Sequence, residues 1–369
     1  VSEHSLSAPL RFPHVPALDG VRGLAALAVV VHHGLGANGA PAHITGLMDA
    51  SRAAASFGYL GVDLFFVLSG YLITSLLLLA RRRASYYRNF YWKRVFRILP
   101  ALLVVLLLIR VLWPHQVPWS SILLAVLFLS NIPLFWSVPS IGPFWSLATE
   151  EQFYLLWPTI VHRTRARKLV HLLLVLIAVP VVFRTIEEAF HGGRAQYTPL
   201  HCDGLAWGAL LAVLALRARV PFRAHNAAVL WRSTGRWVLL AGALLMLLSF
   251  ILFRALHSDF GLPVTAAAPL FAGTLFFLLT HPSNWIARAL GSAPLRMLGA
   301  VSYMVYLSHS YIMELYDQHL AGWPGLSAHR ALALRLVVVL ILTLLWSLLS
   351  LYAFERPVGR LRRCFLRPD

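Results

Sequence analysis

Two residues of complementary chemistry, Arg22 and His33, stand eleven positions apart in LDGVRGLAALAVVVHHG, residues 18–34. On an α-helix, eleven steps of about 100° return both side chains to nearly the same face, roughly 16 Å apart along the axis. His32 then points about 100° away from His33. A neutral imidazole suits proton abstraction near neutral pH, its ordinary pKa being about 6.5. A guanidinium suits phosphate, which it grips through paired, planar hydrogen bonds. Other ionisable residues stand inside apolar runs. They are Asp63 in GYLGVDLFFVLSGYLIT, Glu150 and Glu151 in FWSLATEEQFYLLWP, His201 and Asp203 in LHCDGLAWGALLA, and His309 and Glu314 in SYMVYLSHSYIMELY. Arg94 and Arg97 lie in YWKRVFRILP.

Composition sets the medium in which these groups must work. Of 369 residues, 59% are hydrophobic and 12% charged, with a mean hydropathy of +0.71. A soluble chain of this length cannot bury so much apolar surface, so the class is all-α polytopic membrane protein. The first apolar run lacks the basic leader and small-residue cleavage site of a secretory signal, and we expect a retained span. The formal charge of +18 is almost wholly arginine, Lys93 and Lys168 being the lysines. In a soluble protein that excess would point to nucleic acid. Here the arginines cluster between apolar runs, where cytoplasmic loops collect positive charge, and no nucleic-acid partner is expected. Cys202 and Cys364 fit no CxxC or zinc spacing, and no HxxxH or HExxH pair occurs, so neither a disulfide framework nor a metal is expected.

The elements that must position these side chains are the apolar runs at about 19–36, 58–79, 95–113, 119–136, 144–161, 168–184, 200–217, 236–253, 261–280, 299–319 and 331–354. A crossing helix needs roughly 20 residues. If all eleven runs crossed, the basic loop at 81–94 would face the opposite side from those at 162–168, 217–236, 281–296 and 356–367. Removing one crossing places every basic loop on one face. The run at 119–136, broken by Asn131 and Pro133, is the candidate: it dips in and returns, buried against protein as irregular backbone at membrane depth must be. The expected architecture is therefore about ten transmembrane helices plus one re-entrant segment, with both termini cytoplasmic. Residues 1–369 form a single membrane domain, with an N-terminal segment at 1–17, a basic cytoplasmic tail at 356–369 and no appended soluble domain.

In this topology Asp63, Glu150, Asp203 and His309 fall in the outer half of their spans with His33, and Arg22, Arg94 and Arg97 at the inner rim. Each has an ordinary structural reading. A histidine near a helix end can sit among headgroups, and an aspartate near a helix start answers the dipole. Yet ionisable groups at membrane depth are costly without a partner or a cavity. Several spans contributing them at one depth favour a shared polar chamber.

These motifs resemble the membrane acyltransferase-3 family over nearly the whole chain. The resemblance rests on LDGVRG with His33, then GVDLFFVLSGYLIT (61–74), KRVFRILP (93–100), FWSLATEEQFYLLWP (144–158), SYMVYLSH (302–309) and YAFERP (352–357), in that order. It implies transfer of an acyl group, usually acetyl, from acyl-CoA to a hydroxyl, in the bacterial cytoplasmic membrane. Acceptors in the family are sugars of surface polysaccharide or lipopolysaccharide, exopolysaccharides, or macrolides. It also implies roles for Arg22, His33, the arginines of the KRVFRILP block and Glu150. One departure is visible: where the family commonly has Arg-x-Asp, this chain has His201-Cys202-Asp203.

Chemistry then assigns parts. Attack of a hydroxyl on a thioester requires removal of its proton, for which His33 is the base. A carboxylate should hold its second ring nitrogen, Asp63 first and Glu150 second. Arg22, Arg94 and Arg97 should hold the phosphates of the donor at the cytoplasmic mouth, with the acyl arm threading up to His33, while Asp203 and His309 face the acceptor. A two-step variant would place the acyl group briefly on His33 or Ser69. The rival from another class is a transporter or flippase of a lipid-linked or small amphiphilic substrate, which would share a polytopic fold with buried charges and a broken segment.

Overall fold

The computed structural model describes residues 14–36, 47–135, 137–138, 142–191, 197–219, 261–320 and 328–366, with scattered positions between 237 and 248. Its helices are α1 (Pro16–Val31), α2 (Leu47–Ala55), α3 (Gly61–Ala80), α4 (Tyr86–Leu112), α5 (Trp119–Val126), α6 (Phe144–Arg163) and α7 (Ala166–His191). They continue as α8 (Thr198–Arg219), α9 (Gly261–Thr280), α10 (Trp285–Leu290), α11 (Ala293–His319), α12 (Ala328–Ser350) and α13 (Arg356–Leu361). Among the described residues there is no strand.

Among the described residues, seven helical segments are long and apolar enough to cross a membrane: Pro16–Leu35, Ser51–Ala80, Tyr86–Leu112, Ala166–Glu187, Thr198–Leu216, Pro263–Thr280 and Arg330–Cys364. Two more, α6 of 20 residues and α11 of 27, have the length but carry ionisable residues along it: Glu150 and Glu151 on α6, Arg296, Glu314 and Asp317 on α11. The expected run at 236–253 lies largely outside the described residues. The outward faces of α4, α7 and α12 expose Leu107, Val111, Val182, Phe183, Ile341 and Leu345, surfaces suited to hydrocarbon rather than water.

At the centre α3 packs on α1, α6, α8 and α9, and α11 lies between α1 and α12. Two close crossings set this order. A Cβ on Gly70 or Gly208 would strike the facing backbone at Leu205 or Val67, so α3 and α8 touch main chain to main chain. Likewise a Cβ on Gly299 of α11 would strike the Asp19 carbonyl of α1. Helices in lipid gain little from burying apolar surface against each other, so such small-residue contacts, which maximise dispersion, drive their association.

The interrupted segment behaves as its sequence requires. α5 has eight residues, about 12 Å of helix, too short to cross. The chain then turns at Phe128, whose φ is 56°, and a single tight turn follows at Pro133–Phe135. The freed polar groups find partners on α6 and α8. Gln152 donates to the Phe128 carbonyl at 2.7 Å and to Asn131 Oδ1 at 2.9 Å. Asn131 donates to Thr149 at 3.1 Å and to Thr198 at 2.9 Å.

The basic tail is not a loose appendage. Phe365 packs on Trp92 and Phe96 with ring centroids 4.7 and 5.1 Å apart, and Arg88 donates to its carbonyl at 3.2 Å. This docks the tail beneath α4.

Candidate active site

Three arginines and two glutamates meet where α1, α4 and α6 converge. Arg94 pairs with Glu151 at 3.1 Å and lies 3.7 Å over the Tyr154 ring. Glu150 accepts a 2.7 Å hydrogen bond from Ser69 on α3 and faces Arg22, Arg94 and Arg97 electrostatically. Among the described residues, Arg22 and Arg97 make no hydrogen bond or ion pair within 4 Å. Their guanidinium groups instead help line a cavity of about 710 Å³. Sequence reasoning set the acids in an outer tier and the arginines at an inner rim. The structure joins Glu150 and Glu151 to the arginines in one cluster, because α6 packs against α3 at the height of Ser69.

The cavity has a graded lining. Arg83, Lys93 and Arg362 line it beyond the end of α3, Leu72 and Leu76 of α3 add apolar surface, and Phe65, Phe66, Ser146 and Tyr306 line it nearer the start of α3. Arg362, from the docked tail, was invisible as a site residue to sequence reasoning: its neighbours mark it only as a basic terminus. The Phe65 and Tyr306 rings meet edge to face, centroids 5.9 Å apart. The Tyr306 hydroxyl is held by Ser146 and donates to the Pro143 carbonyl at 3.3 Å.

The histidines lie next to Tyr306. After Val31 the helix widens into a π turn, His32–Gly36, a distortion common at functional sites. His33 is exposed, and its Nδ1 stands 2.9 Å from the Val29 carbonyl and 3.3 Å from His309 Nε2. His309 Nδ1 is 2.7 Å from the Tyr306 carbonyl, and its side chain is fully buried. His32 turns to α2, its Nδ1 at 3.0 Å from the Ala55 carbonyl, yet its ring stays 5.1 Å from that of His33. Arg335 closes the π turn by donating to the Gly34 carbonyl at 3.3 Å while its Nε holds Asp317 at 2.6 Å.

Neither carboxylate expected behind His33 contacts it among the described residues: Asp63 is buried and has Asp203 and Arg184 as its electrostatic neighbours, and Glu150 belongs to the arginine cluster. His33 Nδ1 faces a backbone carbonyl and a second imidazole. Asp203, expected against an acceptor, has both oxygens bound by Arg184, at 2.9 Å for the Nη1–Oδ1 contact. Arg184 also donates to the Leu200 carbonyl and, at 3.1 Å, to Thr265. The arginine absent from the His201-Cys202-Asp203 block is thus supplied by the preceding helix. His201 packs on Trp145, ring centroids 5.0 Å apart. His309, also expected against an acceptor, lies behind His33 with both nitrogens engaged.

A family model described as an acyltransferase domain matches residues 15–352. The chain is 28% identical over 332 residues to the peptidoglycan O-acetyltransferase OatA of Listeria monocytogenes, covering 82% of this chain and 50% of that protein. It is 27% identical over 342 residues to the O-acetyltransferase OatA of Staphylococcus aureus, covering 83% and 52%. The chain thus spans about half the length of these curated relatives. No solved structure matches.

Proposed function

The chain belongs to this acyltransferase family, and from that premise we propose that it moves an acetyl group from acetyl-CoA to a hydroxyl of a cell-envelope sugar polymer. The observation that carries this reading is the cavity itself. Its middle presents the unpaired guanidinium groups of Arg22 and Arg97, and it extends to Tyr306, whose ring is 5.9 Å from that of His309, the partner of His33. Anionic phosphates suit the first part, and a slim acyl arm suits the passage to the second. Arg94 is committed to Glu151 and Tyr154, so it supports the cluster's charge while Arg22 and Arg97 meet the phosphates.

In the reaction His33 takes the proton of the acceptor hydroxyl as its oxygen attacks the thioester carbonyl. A C–O bond forms, the C–S bond breaks, and coenzyme A leaves as a thiolate. The proton on His33 returns to that thiolate or to water. Thiolate leaves readily, so no strong general acid is needed. The acceptor class follows the names of the relatives, whose acetyl group goes to peptidoglycan. We place the protein in the bacterial cytoplasmic membrane as one membrane unit. Ten crossings keep both termini and the basic loops on the cytoplasmic side, so donor and acceptor arrive from opposite faces.

The test uses the purified chain in nanodiscs with radiolabelled acetyl-CoA and soluble peptidoglycan fragments. Acceptor-dependent coenzyme A release and labelled fragments, both lost in His33→Ala, are expected. Movement of acceptor across a vesicle membrane without coenzyme A release would instead make the protein a transporter.

A further inference from the structure

Hydrogen-bond bookkeeping around the two facing imidazoles leaves a single consistent arrangement of protons. A carbonyl oxygen only accepts, so the 2.7 Å contact of His309 Nδ1 with the Tyr306 carbonyl puts the proton of His309 on Nδ1. Its Nε2 is then a lone-pair acceptor. The 2.9 Å contact of His33 Nδ1 with the Val29 carbonyl likewise puts a proton on that nitrogen. One Nδ1–H of His33 is therefore shared between the Val29 carbonyl and, at 3.3 Å, His309 Nε2. His33 Nε2 remains as the basic nitrogen. The pattern needs no change when His33 becomes an imidazolium, because Nδ1–H keeps donating to the same two acceptors.

We propose that His309 is a positioning residue that fixes the tautomer and ring plane of His33, with neutral imidazole in the place a carboxylate usually takes. This rests on the reading of His33 as the base. The surroundings suit a neutral partner: His309 is fully buried among Tyr306, His33 and the α11 backbone, and the nearby carboxylates are drawn off by Arg184 and the arginine cluster. A carboxylate at this position would carry an unpaired charge in the fold's interior, whereas imidazole satisfies both nitrogens without one. The tie to Tyr306 also couples the base to the lining of the donor cavity, since the Tyr306 carbonyl accepts from His309 and its ring packs on Phe65.

The experiment compares His309→Leu, which removes the acceptor at similar volume, with His309→Gln, which restores a polar terminus near the position of Nε2. With acetyl-CoA and soluble peptidoglycan fragments, His309→Leu should lower kcat by at least about tenfold with KM for both substrates unchanged, as loss of a hydrogen bond to a charged group predicts. His309→Gln should recover a large part of that loss. An independent readout is the nitrogen-15 spectrum of histidine-labelled protein in nanodiscs, differenced against His33→Gln to isolate the ring of residue 33. Wild type should show the Nδ1–H tautomer and His309→Leu a mixture. Unchanged kcat in both variants, a change confined to KM, or an Nε2–H ring in wild type would each overturn the proposal. Retained activity in His33→Ala is a separate failure, of the base itself.

Discussion

Ser69 of α3 donates a 2.7 Å hydrogen bond to Glu150 of α6, and this contact joins the two helices at the height where Arg22, Arg94 and Arg97 face Glu150. The carboxylate is thereby a counter-charge for the cationic cluster. Its removal leaves the three guanidinium groups opposed by Glu151 alone.

Glu150→Gln keeps an acceptor for Ser69 but removes the counter-charge of the cluster, so it should destabilise more than Ser69→Ala does. Ser69→Ala should cost about 1–3 kcal/mol, the penalty of one unsatisfied buried acceptor. Thermal unfolding in detergent, followed by monodispersity, checks both the direction and the order. Equal melting of Ser69→Ala and wild type would remove the helix-joining role from this bond.

Arg97 lines the cavity without an ion-pair partner among the described residues, so its charge is available to a ligand. Arg97→Ala should raise KM for acetyl-CoA by at least about tenfold, since hydrogen bonds to charged groups contribute about 1.5–3 kcal/mol. Arg97→Lys should recover only part of this, because an ammonium cannot reproduce the planar fork. Initial rates over a range of acetyl-CoA concentrations at fixed acceptor give the answer.

Phe65 and Tyr306 line the cavity with ring centroids 5.9 Å apart, and the Tyr306 ring stands 5.9 Å from that of His309. Phe65→Ala widens the cavity there without touching the hydrogen bonds of Tyr306. Water then reaches the thioester beside the base, and coenzyme A release in the absence of acceptor should increase severalfold. A thiol-reactive dye measures it directly, and an unchanged background rate means the pair does not seal the passage.

Arg184 and Asp203 form a buried, two-point ion pair between α7 and α8. Losing either partner strands a charge, so Arg184→Met or Asp203→Leu alone should destabilise by about 3–5 kcal/mol. The double variant should recover most of that stability, since replacing a whole buried pair by apolar residues is often neutral or better. If it also keeps its transfer activity, Asp203 is structural. A stable but inactive double variant would return Asp203 to the acceptor site.

Local patterns in the sequence carried much of this. Apolar runs with their polar breaks determined that the chain is helical and membrane-embedded, and Asn131 and Pro133 marked the segment that α5 leaves incomplete. Helical periodicity is a property of neighbouring residues, so Arg22 and His33 were legible as two ends of one helical segment. Partnerships between helices were a different matter. Whether Glu150 stands behind His33 or among the arginines depends on how far α6 slides along α3. Whether Asp203 is free depends on Arg184, nineteen residues earlier on another helix. Such offsets are decided where backbones touch, at Gly70 and Gly208 or at Gly299, and there a shift of one turn moves every side chain by about 5.4 Å. No spacing within a single helix encodes that shift. The pairing of His33 with His309, 276 positions apart, therefore belongs to the packed structure alone.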